Sequence, residues 1–337
     1  MAMQAIRIHQ LGGPEVLQLE EIPTPTPGPG EVVVALRAAA LNRRDILVRT
    51  RQEWAPQMPF VPGSDGAGVV AAVGAGVHHV REGDAVVICP SLWWGDDEER
   101  PSERFEILGG PSDGTYAQYV RIPAENVFAK PAHLSFAEAA AFPLAGLTAW
   151  RALITRARIR PGERLFIPGI GSGVATFLIQ IARLAGAQVY GTSGSADKLQ
   201  RAMALGLSGG ALYTDPNWLE QIRQQAGGGV EVAVDSVGAA TFDSCLQLLV
   251  PGGRLVTFGV TTGATTSLDI RLVYRRQLSI LGTTMGSLKE FRGLLAVIHR
   301  GEVKPVIDST FPLAAAAEAH RRMENHAQFG KIVLEIA

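Results

Sequence analysis

The most chemically explicit residues of this 337-residue chain are Pro168-Gly169-Ile170-Gly171-Ser172-Gly173. The apolar run ahead of them, Leu165-Phe166-Ile167, has the length of a buried strand, and from Val174 the residues Phe177, Leu178, Ile181 and Leu184 recur at helical spacing. A strand therefore turns through three alternate glycines into the N-terminus of an amphipathic helix. Glycines let backbone amides come close to a pyrophosphate, and the positive end of the helix dipole attracts it without a cation. Gly169, Gly171, Ser172, Gly173 and Val174 are accordingly candidate ligands of a dinucleotide. The same GxGxG string also fits an S-adenosylmethionine methyltransferase or a turn with no ligand, whereas the lack of a following Gly-Lys-Ser/Thr argues against a P-loop.

The next strand, Gln188-Val189-Tyr190-Gly191-Thr192, ends where an NAD site places an Asp or Glu on the ribose 2′-hydroxyl. Residue 193 is serine. The missing carboxylate counts against NAD and against S-adenosylmethionine alike. Thr192-Ser193-Gly194-Ser195 and Lys198 instead offer hydroxyls and a cation where a carboxylate would repel phosphate, which points to NADP(H). The bland alternative for Ser193, Ser195 and Lys198 is a helix N-cap followed by a solvated lysine.

A cofactor loop needs a sheet behind it. From Phe136 onward strand and helix patterns alternate, with strands expected at 164–167, 188–192, 211–213, 230–234, 254–258 and 279–282. This is the pattern of an α/β fold with a doubly wound parallel sheet, whose ligands lie across the carboxyl ends of its strands. Val237, in Ser236-Val237-Gly238, and Phe258-Gly259 fall at two of those ends. Residues 1 to about 130 read instead as short strands between glycine turns: Ala5–Ile8, a partner through Val16, Leu17 and Leu19, then 31–41, 66–74 and 84–88, a β-barrel or sandwich. The tail adds helices around 291–299 and 314–325 and a strand at 332–336 expected to return to the N-terminal β domain.

Lys plus Arg number 31 against 32 Asp plus Glu, a net charge of −1, so no basic footprint for nucleic acid or anionic membrane is present. Cys89 and Cys245 form no CxxC pair and suit a reduced, cytoplasmic protein. Met1 to His9 carries charge rather than the apolar core of a signal peptide, and the longest apolar stretch, 139–150, is broken by Pro143 and too short to span a bilayer.

In this order and spacing, Gly12-Gly13-Pro14-Glu15-Val16-Leu17, Leu41-Asn42-Arg43-Arg44-Asp45, Val61-Pro62-Gly63-Ser64-Asp65-Gly66-Ala67-Gly68, Gly146-Leu147-Thr148-Ala149-Trp150, Asp235-Ser236-Val237-Gly238 and Gly330-Lys331-Ile332-Val333-Leu334 make the chain similar, along its whole length, to the medium-chain dehydrogenase/reductases, in their zinc-free quinone oxidoreductase branch. The resemblance implies a GroES-like β-barrel catalytic domain, 1–145 and 284–337, and a six-stranded Rossmann NADP-binding domain, 146–283, with the active site in the cleft between them. It also implies a homodimer through the edge strand near Ser279–Gly282.

In the alcohol dehydrogenase branch a catalytic Cys stands at the place of Asn42, a Gly-His-Glu at Gly63-Ser64-Asp65, and a third ligand near Pro143-Leu144. None of these is Cys or His here, so the resemblance implies no metal. Residues 90–114 keep about the length of the structural zinc lobe with none of its four cysteines. Its run Asp96-Asp97-Glu98-Glu99 reads as a solvated loop face, and His78-His79 as a turn. Without a Lewis acid, hydride transfer favours an acceptor with its own electron sink, a quinone or an α,β-unsaturated carbonyl. The resemblance places Asn42 beside nicotinamide and acceptor oxygen, with Asp45 and Ser64 as the other catalytic candidates. Thr148, Thr283 and Met285 are expected at the nicotinamide end, Tyr213 with Ser193 and Lys198 at the adenosine end, and Lys331 completes the cofactor contacts. Trp54, Trp93 and Trp94 offer an aromatic wall, and Arg43 and Arg44 either orient the acceptor or face water. Leu47 stands where quinone reductases often have a tyrosine, and Ala175 where the family has a helix-packing glycine. Two alternatives stay open: a metal-independent relative of alcohol dehydrogenase acting on another carbonyl or alcohol, and a nucleotide-binding protein without turnover.

Overall fold

The strand 31–40 is nearly continuous apolar sequence and is buried on both faces, as the centre of a sheet requires. It organises the N-terminal elements of the computed structural model, which describes residues 2–51 and 57–337; Trp54 lies outside the described residues. The elements are β1 (Ala2–Arg7), β2 (Gln18–Pro23), β3 (Glu31–Ala40), α1 (Arg43–Thr50), β4 (Asp65–Val73), β5 (Ala85–Ile88), β6 (Ser91–Leu92), β7 (Glu106–Ile107), β8 (Tyr119–Pro123), β9 (Val127–Ala129), α2 (Phe136–Ala140) and α3 (Pro143–Trp150). Alternating strands and helices follow: β10 (Arg164–Ile167), α4 (Gly173–Leu184), β11 (Gln188–Ser193), α5 (Ala196–Leu205), β12 (Gly209–Leu212), α6 (Trp218–Gln225), β13 (Val230–Asp235), α7 (Phe242–Leu248), β14 (Leu249–Thr257), α8 (Ile270–Arg276) and β15 (Ser279–Gly282). The chain closes with α9 (Leu288–His299), β16 (Ile307–Pro312), α10 (Ala316–Glu324) and β17 (Lys331–Glu335).

Two compact units result, one of Met1–Leu147, Gly286–Gly301 and Pro305–Ala337, the other of Thr148–Met285 and Glu302–Lys304. In the first, a seven-stranded sheet runs β16-β17-β3-β4-β5-β9, with β8 also on β3. The tail strand β17 lies antiparallel to β3 and pairs Val333 with Ala40 and Leu334 with Ala39, so the C-terminal residues do return to the N-terminal sheet. Its core gathers Ile6, Val34, Phe60, Val86, Ile88, Tyr116, Ile332 and Leu334. Besides the short strands β6 to β9, three features depart from the sequence reading. The turn expected at Gly12-Gly13-Pro14 runs on as a 3-10 turn through Val16, with Pro14 at its start, so the strand expected from Val16 begins at Gln18. Residues 43–50 form α1, whose apolar positions are too few for a helical stripe to show in the sequence. β16 is a strand the sequence reading lacks, half-exposed and parallel to β17.

The second unit is a six-stranded parallel sheet in the order β12-β11-β10-β13-β14-β15, the doubly wound topology expected from the alternation of elements. On α4, Phe177, Leu178 and Ile181 are buried against it. At the carboxyl ends of β13 and β14 the loops pack so closely that a Cβ at Gly259 would collide with the Ser236 carbonyl. Residues 302–304 join this unit through Gln180, whose amide exchanges two hydrogen bonds of 2.9 Å with the Lys304 backbone. Among the described residues no helix is long and apolar enough to cross a membrane.

Candidate active site

Lys331 opens β17 with its side chain buried, and a buried ammonium must find acceptors for its protons. It finds three: Leu41 O at 2.7 Å, Asn42 Oδ1 at 2.7 Å and Asp65 Oδ2 at 2.9 Å. Asn42 stands two residues beyond β3, at the N-cap of α1, and Asp65 begins β4, so the antiparallel β17-β3-β4 order carries all three side chains to the same end of the sheet. Asn42 Nδ2 donates to Asp65 Oδ2 at 2.9 Å and makes a longer contact of 3.4 Å to Ala40 O. The other Asp65 oxygen accepts the Leu144 amide at 2.7 Å, which sets a carboxylate at the N-terminus of α3, where the helix dipole favours it. Asp65 is thus the hub at which the Asn42, Leu144 and Lys331 segments meet.

A second set of bonds fixes Asn42 from behind. Its backbone amide donates to Asp45 Oδ2 at 2.7 Å, closing the first turn of α1, and Tyr116 donates its hydroxyl to the same oxygen at 2.9 Å. Asp45 Oδ1 has no partner among the described residues. Burial raises the Asp45 carboxyl above the usual carboxylate range, against the opposing pull of Arg44, the Asn42 amide and Tyr116. Burial likewise pushes the Tyr116 phenol well up, with Asp45 adding to it. Behind Tyr116 stands His320, its Nε2 3.5 Å from the hydroxyl and its ring edge-on at 5.9 Å. Burial, with Arg49 second, lowers His320 to about 3.

Asp45 and Ser64, the other two catalytic candidates, are both engaged in hydrogen bonds within the first unit. Both are fully buried. Ser64 Oγ donates to Leu108 O at 2.7 Å and accepts from Arg44 NH1 at 2.9 Å. Arg44 also donates to Leu108 O and Gly110 O, which ties its guanidinium to the 108–110 backbone. Lys331, expected on the cofactor, has its three donors engaged within its own unit. Trp94 is buried against Phe105, and Trp93 is half-buried beneath Arg104, so these two tryptophans form no common wall.

In the second unit, β10 ends at Ile167 and the chain passes through Gly169, in the left-handed region at φ +70°, and Gly171 to α4. Ser172 N-caps α4 by accepting the Ala175 amide at 3.1 Å; the other first-turn N–H groups have no acceptor within their own helix, which leaves donors for an anion at Gly173 and Val174. At the end of β11, Ser193 Oγ accepts the Ser195 amide at 3.1 Å, and Ser195 N-caps α5 above Lys198. Tyr213 lies so close to Gly194 that a Cβ there would strike its phenol oxygen. The Asp235 carboxylate accepts the Val237 amide at 2.8 Å, which fixes the turn beyond β13 beside Phe258 and Gly259. Thr283 continues from β15 with its amide on Thr257 O, and the Thr148 hydroxyl lies 4.0 Å from the Met285 sulfur. The dinucleotide candidates therefore gather at the carboxyl ends of the strands.

Two family models match: alcohol dehydrogenase GroES-like domain over residues 28–132 and zinc-binding dehydrogenase over 173–300. A zinc-type alcohol dehydrogenase-like protein of Schizosaccharomyces pombe is 34% identical over all of both chains. The chain belongs to the medium-chain dehydrogenase/reductase family. A quinone oxidoreductase of Rattus norvegicus is 31% identical over 98% of this chain and 97% of its own. A crystal structure of an NAD-dependent alcohol dehydrogenase superposes with a TM-score of 0.95 at 43% identity, covering 99% of this chain and 100% of that one. This medium-chain dehydrogenase/reductase is therefore an oxidoreductase by family.

The residues of this family member do not fit a catalytic zinc. At the positions where the resemblance puts metal ligands stand an amide, a hydroxyl and a backbone N–H, and the one carboxylate, Asp65, is already paired with an ammonium. Among the described residues no three His, Cys, Asp or Glu side chains converge as a metal site. The sequence reading missed the Asp65–Lys331 pair. Its signal was a lysine at the head of the apolar run Ile332-Val333-Leu334, a place where a charge needs a buried partner.

Lys331→Met leaves the Asp65 carboxylate buried without its cation and is expected to lower stability by about 3–5 kcal/mol in urea denaturation, with Asp65→Asn recovering part of the loss in the double variant. His320 makes a second prediction. The folded ring stays neutral down to about 3, whereas the unfolded ring takes up a proton below about 6.5. The unfolded state thus binds more protons, and stability falls as pH drops from 6.5 towards 3, by up to ~1.4 kcal/mol per pH unit. Denaturation midpoints at pH 7.5 and 5 are expected to converge in His320→Gln.

Proposed function

We propose that this protein transfers hydride from NADPH to a quinone or other α,β-unsaturated carbonyl, without a metal in the step. The observation that carries the reading is the Asn42–Asp65–Lys331 network, an amide oriented by an ion pair where a Lewis acid would need ligands. An acceptor that delocalises its own negative charge needs from the protein a hydrogen bond, correct placement and a dry site. Lys331 on Oδ1 and Asp65 on Nδ2 fix which end of the Asn42 amide is which; the second Nδ2 proton, held only by the long contact to Ala40 O, is the donor offered to the acceptor oxygen.

The nicotinamide, when bound, supplies the hydride. The chain's own contribution is to hold it: the amides of Gly171 to Val174 for the pyrophosphate, Thr148, Thr283 and Met285 for the nicotinamide end, and Val237, Phe258 and Gly259 alongside. Ser193, Lys198 and the half-exposed Tyr213 take the adenosine end with its 2′-phosphate. The similarity to quinone oxidoreductases supports this acceptor class. A second reading, NAD with a simple alcohol or carbonyl, is favoured by the solved neighbour at 43% identity; Ser193 in place of a carboxylate opposes it. The buried, unpaired cysteines Cys89 and Cys245 suit a reducing compartment, and we place the protein in the cytoplasm. β15 lies at the sheet edge beside the exposed Leu268, Ile270, Tyr274 and Ile280, a surface suited to a two-fold copy of itself.

Fluorescence titration tests the cofactor assignment. NADPH is expected to bind at least tenfold more tightly than NADH, about 1.4 kcal/mol, with Lys198→Ala erasing the gap and NADPH-dependent quinone reduction following; equal affinities with alcohol oxidation would establish the second reading. In sedimentation, Ile280→Glu is expected to convert a dimer to monomers.

A further inference from the structure

The segment corresponding to the metal lobe has a small core of its own. β6 pairs with β7 through Ser91 with Ile107 and Leu92 with Glu106. Between them Trp94 packs edge-on against Phe105, with ring centroids 5.2 Å apart, and its indole N–H donates to Asp97 O at 2.9 Å. Arg104 lies over Trp93, and the Ser102 hydroxyl donates to Trp93 O at 2.6 Å. An aromatic pair thus sits at the centre of the lobe, and the folded lobe presents fixed groups.

One of these groups reaches beyond the lobe. Asp96, Asp97 and Glu99 are exposed, as a solvated acidic face requires, but Glu98 is half-buried and its Oε2 accepts the Ser287 hydroxyl at 2.7 Å. Ser287 is itself buried and N-caps α9: its Oγ accepts the Glu290 amide at 3.2 Å and its own amide donates to Glu290 Oε2 at 2.7 Å. A serine hydroxyl has one proton. Directing that proton to Glu98 aims a lone pair at the Glu290 amide, and it adds a second carboxylate to the N-terminus of a twelve-residue helix. Ser287 stands two residues after Met285, a non-glycine residue held at φ +35° where the chain leaves the second unit for the first. The opposite end of the lobe is tied to the site cluster, through Leu108 O and Gly110 O on Arg44 and Leu108 O on Ser64.

We propose that Glu98 is a positioning residue for the cofactor: by anchoring the Ser287 cap it holds the backbone of residues 283–285 in register for the nicotinamide carboxamide. The lobe, stripped of cysteines, acts on the nicotinamide end of the site and leaves the adenosine end alone. This rests on the assignment of Thr283 and Met285 to the nicotinamide made above.

The test titrates full-length protein with NADPH and, separately, with 2′-phospho-ADP-ribose, which carries the adenosine end without nicotinamide. Glu98→Ala is expected to weaken NADPH five- to tenfold and leave 2′-phospho-ADP-ribose within twofold of wild type. Glu98→Gln, which still accepts the Ser287 hydroxyl, restores most of the NADPH affinity. Ser287→Ala reproduces the loss, and combining it with Glu98→Ala adds little, because both break the same bond. Unchanged NADPH affinity in Glu98→Ala, or an equal loss for both ligands, overturns the proposal alone. A wild type that binds neither ligand removes the cofactor assignment, and the proposal with it.

Discussion

A single buried ion pair constrains the site end of the first unit. The Lys331 ammonium and the Asp65 carboxylate sit out of contact with water, where an unpaired charge would be costly, so each must be surrounded by correctly placed partners. Those partners come from four places in the chain: the end of β3, the start of β4, the first turn of α3 and the head of β17. The charge requirement and the strand order are therefore one constraint seen twice. A register slip of β17 against β3 would strand both charges, so the pair specifies the alignment as well as tolerating it.

The two functional regions differ in how their parts are assembled, and that difference decides what can be read from sequence. The candidate dinucleotide cradle is local. Strand, glycine turn, capping serine and helix follow one another from Arg164 to Leu184, and the donors it offers are backbone amides, so spacing alone reveals it. The parallel sheet was legible for the same reason, since strands and helices alternate with regular lengths. The cluster around Asn42 is made of side chains 23 to 289 residues apart. Sequence could mark Asn42, through its resemblance to a ligand position, but could not show that its amide is held at both ends. Asp45 and Ser64 lie beside Asn42 and Asp65 in sequence, but adjacency does not show their partners: an Asp at the third position of α1 points back to its own cap, and Ser64 turns towards Leu108.

The acidic run at 96–99 shows a related limit. Composition describes an average face, and three of its four members do face water. The fourth turns inward because the Trp94–Phe105 pair and the bond from the Trp94 indole to Asp97 O set the loop's path, which no charge pattern encodes. Similarly α1 and β16 escaped notice because one lacks an apolar stripe and the other is half-exposed, so tertiary contacts rather than local preference decide them.

The return of β17 to β3 gives the two units different histories during synthesis. Apart from residues 302–304, the doubly wound sheet is one uninterrupted stretch and can close as soon as Gly282 has left the ribosome. The first unit begins earlier but finishes last: until Lys331 emerges, Asp65 has no cation, Asn42 has no restraint on its carbonyl oxygen, and the β3 edge that β17 will cover is open to other strands. The nascent chain thus carries a complete parallel sheet while the first unit still lacks the strand that pairs with Ala38 to Ala40 of β3.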